Sequence, residues 1–393
     1  MKLMIKTPYY LLNLQRLSAN LNGLRVAFST LWSNFLIGYS FKTNNLPWLT
    51  KWMHLNGTFA EVVSSAEYQQ AKRVGFPINN IIFNGPVKGN EALLEAVKNG
   101  AIVNLDNFEE IEYLIQNLDC KIEQYEVGIR INFDLESVCP AETIPGKEPG
   151  RFGFNVENGD FEKAIHLLKK AGIKVVGIHG HHSTRTKSLK VFSVITSEIC
   201  LLLHFLDKVK YIDLGGCIFG DKPGAPSFDE YASTVINILK ANKVPSSVKL
   251  IMEPGAALVA SPFSYVCKVV SRKDINGTRL VFTDGSIKHI TSQMNTIKFA
   301  SNCSSKSENI IHRQIISGYT CIEMDRFLEY IDKPELEIGD TITVSNTGAY
   351  SLSLAPLFIE FFPQVVVNDH DKLKVVREVW SINEFMQNNI LDQ

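Results

Sequence analysis

Between residues 23 and 255 the chain alternates two textures. Short, continuous apolar runs are separated by stretches in which apolar residues recur at helical spacing. The apolar runs are "LRVAFST", "FLIGYSF", "NNIIFNG", "AIVNLD", "YEVGIRINF", "KVVGIHGHH", "KYIDLGG" and "VKLIMEPG". Between them lie "AEYQQAKRVG", "EALLEAVKNG", "NFEEIEYLIQNL", "NGDFEKAIHLLKKAG", a helical stretch through about 187–207, and "FDEYASTVINILKAN". Apolar strands alternating with helices of period 3.6 predict parallel strands joined by crossover helices. About eight such units close most economically as a (β/α)8 barrel.

After residue 256 helical periodicity becomes scarce. "FSYVCKVVSRKD", "TRLVFTDGS", "IIHRQIISGYT", "DTITVSNTGAYS" and "KLKVVREVWS" are strand-like and separated by turn residues. They predict a second, mostly β domain over 256–393, and the strand-like "LMIKTPYYLL" assigns residues 1–22 to it. The polar segment "KFASNCSSKSENI", residues 298–310, reads as a mobile loop.

Composition narrows the function. A chain of 393 residues, 45% of them hydrophobic, has room for a large core. A formal net charge of -1, with no basic run, gives no reason to expect nucleic acid or an anionic membrane as partner. The seven cysteines are scattered without a Cys-x-x-Cys pair, which argues against a disulfide framework or zinc knuckle and fits a reducing cytoplasm. Lys6 and Pro8 interrupt the first residues too early for a signal peptide, and no uncharged apolar run reaches the ~18–20 residues of a membrane span.

In a barrel of this kind, chemistry gathers where the strands end. The polar residues that stop the apolar runs are Lys42, Glu61, Lys88, Arg130, His179, His181, Asp213 and Glu253. Singly each has a structural reading: Lys42 as a surface lysine, the acids as caps of the next helix. His179 and His181 share one face of a strand and His182 the other. With no carboxylate or cysteine nearby in sequence to complete a ligand set, no metal is expected. Together, however, these are the parts of a pyridoxal phosphate site. A lysine able to lose its proton condenses with the aldehyde. A carboxylate keeps the pyridine nitrogen protonated so that the ring can draw electrons from the substrate's α-carbon. The "DLGGC" turn, with Gly215 and Gly216, offers N–H groups to a phosphate.

The order of these motifs resembles the fold-type III pyridoxal phosphate decarboxylases, the group of diaminopimelate, ornithine and arginine decarboxylases. "YSFKTN", "FAEVVSSAE", "FNGPVKGNEAL", "GRFGF", "GIHGHHST", "DLGG", "EPG", "GYTCIEMD" and "NTGAYSLS" follow one another as in that family, across nearly the whole chain. The resemblance implies an alanine-racemase-like barrel with a β domain, acting as a homodimer with shared active sites. It implies that Lys42 carries the cofactor, that Glu253 pairs with the pyridine nitrogen and that His181 stacks on the ring. Thr184, the amides of Gly216 and Cys217, and the Tyr350 hydroxyl would hold the phosphate. Glu61 would sit near the lysine, and Arg130 would support the site from a buried position. Cys321, from the partner subunit, would return a proton to the α-carbon, with Ile322, Glu323 and Tyr350 beside the substrate.

Three departures matter. Ala256 stands where the family's Glu-Pro-Gly-Arg carries arginine, and Cys217 stands where the phosphate turn carries a third glycine. Ile322 replaces an acid that holds the distal cation of basic substrates. An apolar residue there leaves a desolvated ammonium unpaired. The expected substrate is therefore an α-amino acid with a neutral or conjugated distal end, as in the siderophore and peptide-antibiotic (microcin C-type) branches, rather than free lysine, ornithine or diaminopimelate. Two other readings stay open at this stage: racemisation at the same carbon, and a non-catalytic homologue with a binding or regulatory role.

Overall fold

The computed structural model describes residues 5–120, 124–220, 222, 224–290 and 299–390. The chain divides into two compact units, one of them Asn20–Ala257.

That unit is a closed barrel of eight parallel strands. In chain order they are Phe35–Ser40, Phe59–Val62, Ile81–Phe83, Ile102–Leu105, Glu126–Asn132, Lys174–His179, Tyr211–Asp213 and Lys249–Met252. Each pairs with the next in parallel, and the eighth pairs with the first. One expected strand is corrected. "LRVAFST" lies in the helix Leu14–Ser29, where buried Leu17, Leu21, Leu24 and Phe28 recur at helical spacing while Val26 faces solvent. Alternation over so short a window imitated a strand. The barrel's second strand is instead "FAEV", four residues at 59–62.

Strand alternation explains how the barrel interior is layered. Residues two apart share a face, and seven strands carry an apolar residue or glycine two positions before a polar one: Phe59 and Glu61, Ile82 and Asn84, Ile102 and Asn104, Gly128 and Arg130, Gly177 and His179, Tyr211 and Asp213, Ile251 and Glu253. Ile82, Val176, Tyr211 and Ile251 form a buried apolar floor, with Leu36, Phe59 and Ile102 packed against it. Tyr211 fills room that two glycines leave open. A Cβ on Gly177 would meet its ring at 2.3 Å, and one on Gly128 would lie 1.9 Å from its hydroxyl. Above the floor, toward the C-terminal ends of the strands, the interior turns polar.

The other unit is a mostly β fold. Tyr9–Asn13 enters its sheet between Phe263–Ile275, which it pairs antiparallel, and Gln364–Asp369, which it pairs in parallel. Of the expected N-terminal strand, Leu3 and Met4 lie outside the described residues. The segment expected as a mobile loop contains the strand Ser301–Cys303, paired with Thr341–Ser345; Lys298 lies outside the described residues. Polar side chains hid a strand whose neighbour is distant in sequence. Among the described residues no helix is long and apolar enough to cross a membrane.

Candidate active site

The first barrel strand ends in a single 3-10 turn, Phe41–Thr43, that buries Phe41 and Thr43 and leaves Lys42 between them. The turn is fixed from both sides. Tyr39 donates its hydroxyl to the Asn44 carbonyl at 2.7 Å, and Ser40 N–H donates to Pro254 O at 3.3 Å. Gly255 must lack a side chain, since a Cβ there would lie 2.0 Å from Thr43 Oγ1. Lys42 Nζ donates to Glu61 Oε2 at 2.8 Å and to Ser40 Oγ at 2.7 Å. Its side chain keeps 40% of its surface open. The amine is thus held by a buried acid and still reachable.

Glu253, directly after the eighth strand, is buried. Its Oε1 accepts from Asn84 Nδ2 at 2.6 Å, and Oε2 lies 3.6 Å from His179 Nε2. Asp213 stands beside it, accepting from Gly215 N–H at 3.0 Å and Asn104 Nδ2 at 3.2 Å. Burial raises the proton affinity of both acids, and for Glu253 the charge of Asp213 adds to it. Burial, and then the charge of Arg130, hold His179 and His181 well below the usual imidazole range, so both rings are neutral. Arg130 is buried; its guanidinium lies 3.5 Å from Asp106, donates to His181 O at 3.1 Å and rests 4.6 Å from the Phe152 ring centre.

The His181 ring is half-buried and within 10° of parallel to His179. The glycine turn places it: a Cβ on Gly215 would fall 2.6 Å from the ring, and Gly216 N–H donates to Nδ1 at 3.3 Å. Thr184 is buried with its hydroxyl 3.8 Å from Cys217 Sγ. Cys217 has φ +70°, a left-handed conformation that costs a residue with a Cβ about 1–2 kcal/mol. Cys217→Gly should therefore stabilise the chain by roughly 0.5–1 kcal/mol, once the greater freedom of glycine in the unfolded chain is subtracted. Urea midpoints of the two proteins measure this, and a less stable variant refutes it.

Lys88 belongs elsewhere. Fully buried, it donates to Glu110 at 2.9 and 3.0 Å and to Gly85 O at 2.7 Å, which closes it off from the barrel mouth. Asn84 and Asn104 were not among the sequence candidates, although both follow apolar runs as the charged candidates do.

Cys321, Ile322, Glu323 and Tyr350 lie in the β-rich unit. The turn 318–325 is built around buried Asp325, which accepts from Thr320 Oγ1 at 2.7 Å and Ile287 N–H at 2.8 Å. It leaves Cys321 and Ile322 exposed. Glu323 pairs with Arg326 at 2.9 Å. Tyr350 is exposed, in the left-handed conformation with φ +58°.

The barrel residues fit pyridoxal phosphate: a reachable primary amine, a flat half-buried imidazole, a buried acid and a glycine-lined turn. Both His179 nitrogens are buried without a hydrogen-bond partner among the described residues, so this part of the interior is polar beyond what they satisfy. His179, Asp213 and Glu253 also bring ligand-type atoms within 4.8 Å of one another. No carboxylate was in reach of the histidines along the sequence, whereas folding supplies two from separate strands. Both already accept hydrogen bonds from Asn84, Asn104 and Gly215.

Known proteins resemble this chain over most of its length. The profile of the family described as "Pyridoxal-dependent decarboxylase, pyridoxal binding domain" matches residues 17–260. The diaminopimelate decarboxylase of Methanocaldococcus jannaschii is 26% identical over 391 residues, covering 95% of this chain and 88% of that protein. That of Bacillus subtilis is 28% identical over 376 residues, covering 89% and 83%. The crystal structure of the M. jannaschii enzyme superposes with a TM-score of 0.88 at 23% identity, over 99% of this chain and 93% of that one. The Paramecium bursaria Chlorella virus arginine decarboxylase gives 0.75 at 18% identity, over 90% and 93%. At such identities the structural likeness shows the fold.

Proposed function

The chain belongs to the pyridoxal-dependent decarboxylases, and from that premise we propose that it removes carbon dioxide from an α-amino acid whose distal end is neutral or conjugated. That it is a pyridoxal phosphate-dependent amino-acid decarboxylase follows from the family; the substrate class is our reading, and Ile322 carries it. When bound, the cofactor supplies an electron sink for the bond to the departing carboxyl group. Lys42 would bind the cofactor's aldehyde carbon, with Glu61 orienting the amine. Glu253 would pair with the ring nitrogen and keep it protonated. His181 would offer its flat side to the ring, while Thr184 and the Cys217 and Gly216 amides would hold the phosphate. Gly216 N–H would exchange His181 for the phosphate. For the cation missing at Ala256, Lys187 and Lys222 are stand-ins. Their amines lie 4.9 and 4.7 Å from the centre of the Phe219 ring, two residues beyond Cys217.

Cys321 is the proton donor to the α-carbon in this reading, contributed by a second copy. Exposed Met324, Leu357 and Ile359 on the same unit are apolar surface such a copy would cover. Beside Cys321, Ile322 has no charge to offer a distal ammonium, and Glu323 is engaged with Arg326. Conjugated amino acids of the kind found in siderophore and peptide-antibiotic assembly satisfy this chemistry. A second reading, diaminopimelate itself, is favoured by the names of the relatives.

Carbon dioxide release separates the two. Wild type should turn over an ω-acylated amino acid and leave diaminopimelate almost untouched. Ile322→Glu should raise kcat/KM for a diamino acid by about ten- to a hundredfold, as a charge-assisted hydrogen bond is worth ~1.5–3 kcal/mol. Efficient turnover of diaminopimelate by wild type would establish the second reading.

A further inference from the structure

Beneath the cofactor site a hydrogen-bonded chain crosses the barrel interior. Tyr211 donates its hydroxyl to Asn104 Oδ1 at 2.7 Å. Asn104 Nδ2 donates to Asn84 Oδ1 at 2.9 Å and to Asp213 Oδ2 at 3.2 Å. Asn84 Nδ2 donates to Glu253 Oε1 at 2.6 Å and Glu61 Oε1 at 3.2 Å. All six residues are buried, and they come from five strands or the residues directly after them, Tyr211 and Asp213 sharing one. Each side-chain amide has two N–H groups and both are used. Only one orientation of each amide satisfies the set. Turning Asn104 over would present its oxygen to the Asp213 carboxylate and its nitrogen to a hydroxyl; turning Asn84 over would do the same to Glu253 and Glu61. The acids therefore fix which way both amides face, and the phenol at the floor donates to the oxygen that this leaves on Asn104.

We propose that Tyr211 and Asn104 are positioning residues for the acid that faces the cofactor nitrogen: the phenol locks the Asn104 amide, and that amide locks Asn84 and Asp213 against Glu253. The inference rests on Glu253 having that role. Gly128 and Gly177 belong to the same device, since they make the space in which Tyr211 can reach the polar layer. The charged and titratable groups around the acid pair are Lys42 and Glu61 from the first two strands, Arg130 from the fifth, and His179 with His181 at the end of the sixth. Tyr211 and Asn104 carry no charge themselves, so the relay can be altered without removing one.

The test follows the carboxyl C=O infrared band through a pH titration of the full chain without cofactor, in wild type, Tyr211→Phe, Asn104→Leu and Ile251→Val. Ile251→Val trims the floor without touching a polar group. An N–H donor stabilises the ionised form of a carboxyl, so its loss lets the pair hold its proton to higher pH. Asn104→Leu should raise the midpoint by about one pH unit, a tenfold change in proton affinity. Tyr211→Phe should move it the same way by less, and Ile251→Val should leave it in place. In the loaded enzyme the pH midpoint of the cofactor's visible absorbance should shift in the same order, with kcat lowered and KM unchanged. Midpoints that coincide in all four proteins overturn the relay. If Asn104→Leu does not fold, Tyr211→Phe decides alone, because its ring still fills the space between the glycines. The infrared reading uses no substrate, so an error in the proposed substrate class leaves its outcome intact. If no buried carboxyl titrates in any of the proteins, both the relay and the role of Glu253 fail; a normal titration with coincident midpoints removes the relay only.

Discussion

Replacing Lys42 with alanine should abolish covalent attachment of the cofactor and lower kcat/KM by about a thousandfold or more. A positioned amine contributes on the order of 10²–10⁴-fold through proton transfer alone, and Lys42 is also the proposed covalent anchor. The geometry makes the loss specific. Lys42 Nζ sits on Glu61 and Ser40, whereas the nearby Lys88 is sealed in its ion pair and cannot substitute. After borohydride reduction, peptide mapping should find the cofactor on the peptide containing Lys42 in wild type and nowhere in Lys42→Ala. Label recovered on Lys88, or a variant with near-normal turnover, would displace Lys42 from its role.

Lys88 gives the second large effect, on stability. Removing one partner of a buried pair costs about 3–5 kcal/mol, because the other is left charged without compensation. Lys88→Met should lower the unfolding free energy by that amount, as read from denaturant midpoints. Burial alone pushes the Lys88 amine down and the Glu110 carboxyl up, so each depends on the other to stay charged. The double variant Lys88→Met, Glu110→Leu should regain much of the loss, since an apolar pair of similar volume can replace a buried ion pair. Equal instability of single and double variants would locate the cost in packing instead. Lys88 also holds Gly85 O, one residue beyond Asn84. Loosening this loop should therefore weaken cofactor binding in whatever Lys88→Met protein stays folded.

The barrel could be read because its signal is local. An apolar run buried on both sides looks the same whichever strand it pairs with, and the helices between the runs show their own period. "LRVAFST" failed because its few residues fall short of two helical turns, too little to tell the two periods apart. The charged site residues could be found because a lysine or a glutamate at the end of an apolar run conflicts with its surroundings. Asn84 and Asn104 cause no such conflict: an asparagine after a strand is an ordinary turn residue, and what makes these two matter is a partner on another strand. Lys88 is the converse case. It looked like chemistry until Glu110, one turn into the helix Phe108–Asn117, claimed its charge. The turn around Asp325 hid for the same reason, as its partner at Ile287 is fixed by folding rather than by spacing.

The N-terminal strand has a consequence for synthesis. Tyr9–Asn13 is synthesised long before its parallel neighbour Gln364–Asp369. Contacts so far apart in sequence form slowly, and an unpaired strand edge invites association with other chains while it waits. The strand must remain unpaired on that side until Gln364–Asp369 has been made. Nascent chains halted before residue 364 should accordingly be captured by chaperones through this segment, and synthesis of its partner strand is the event that ends its exposure.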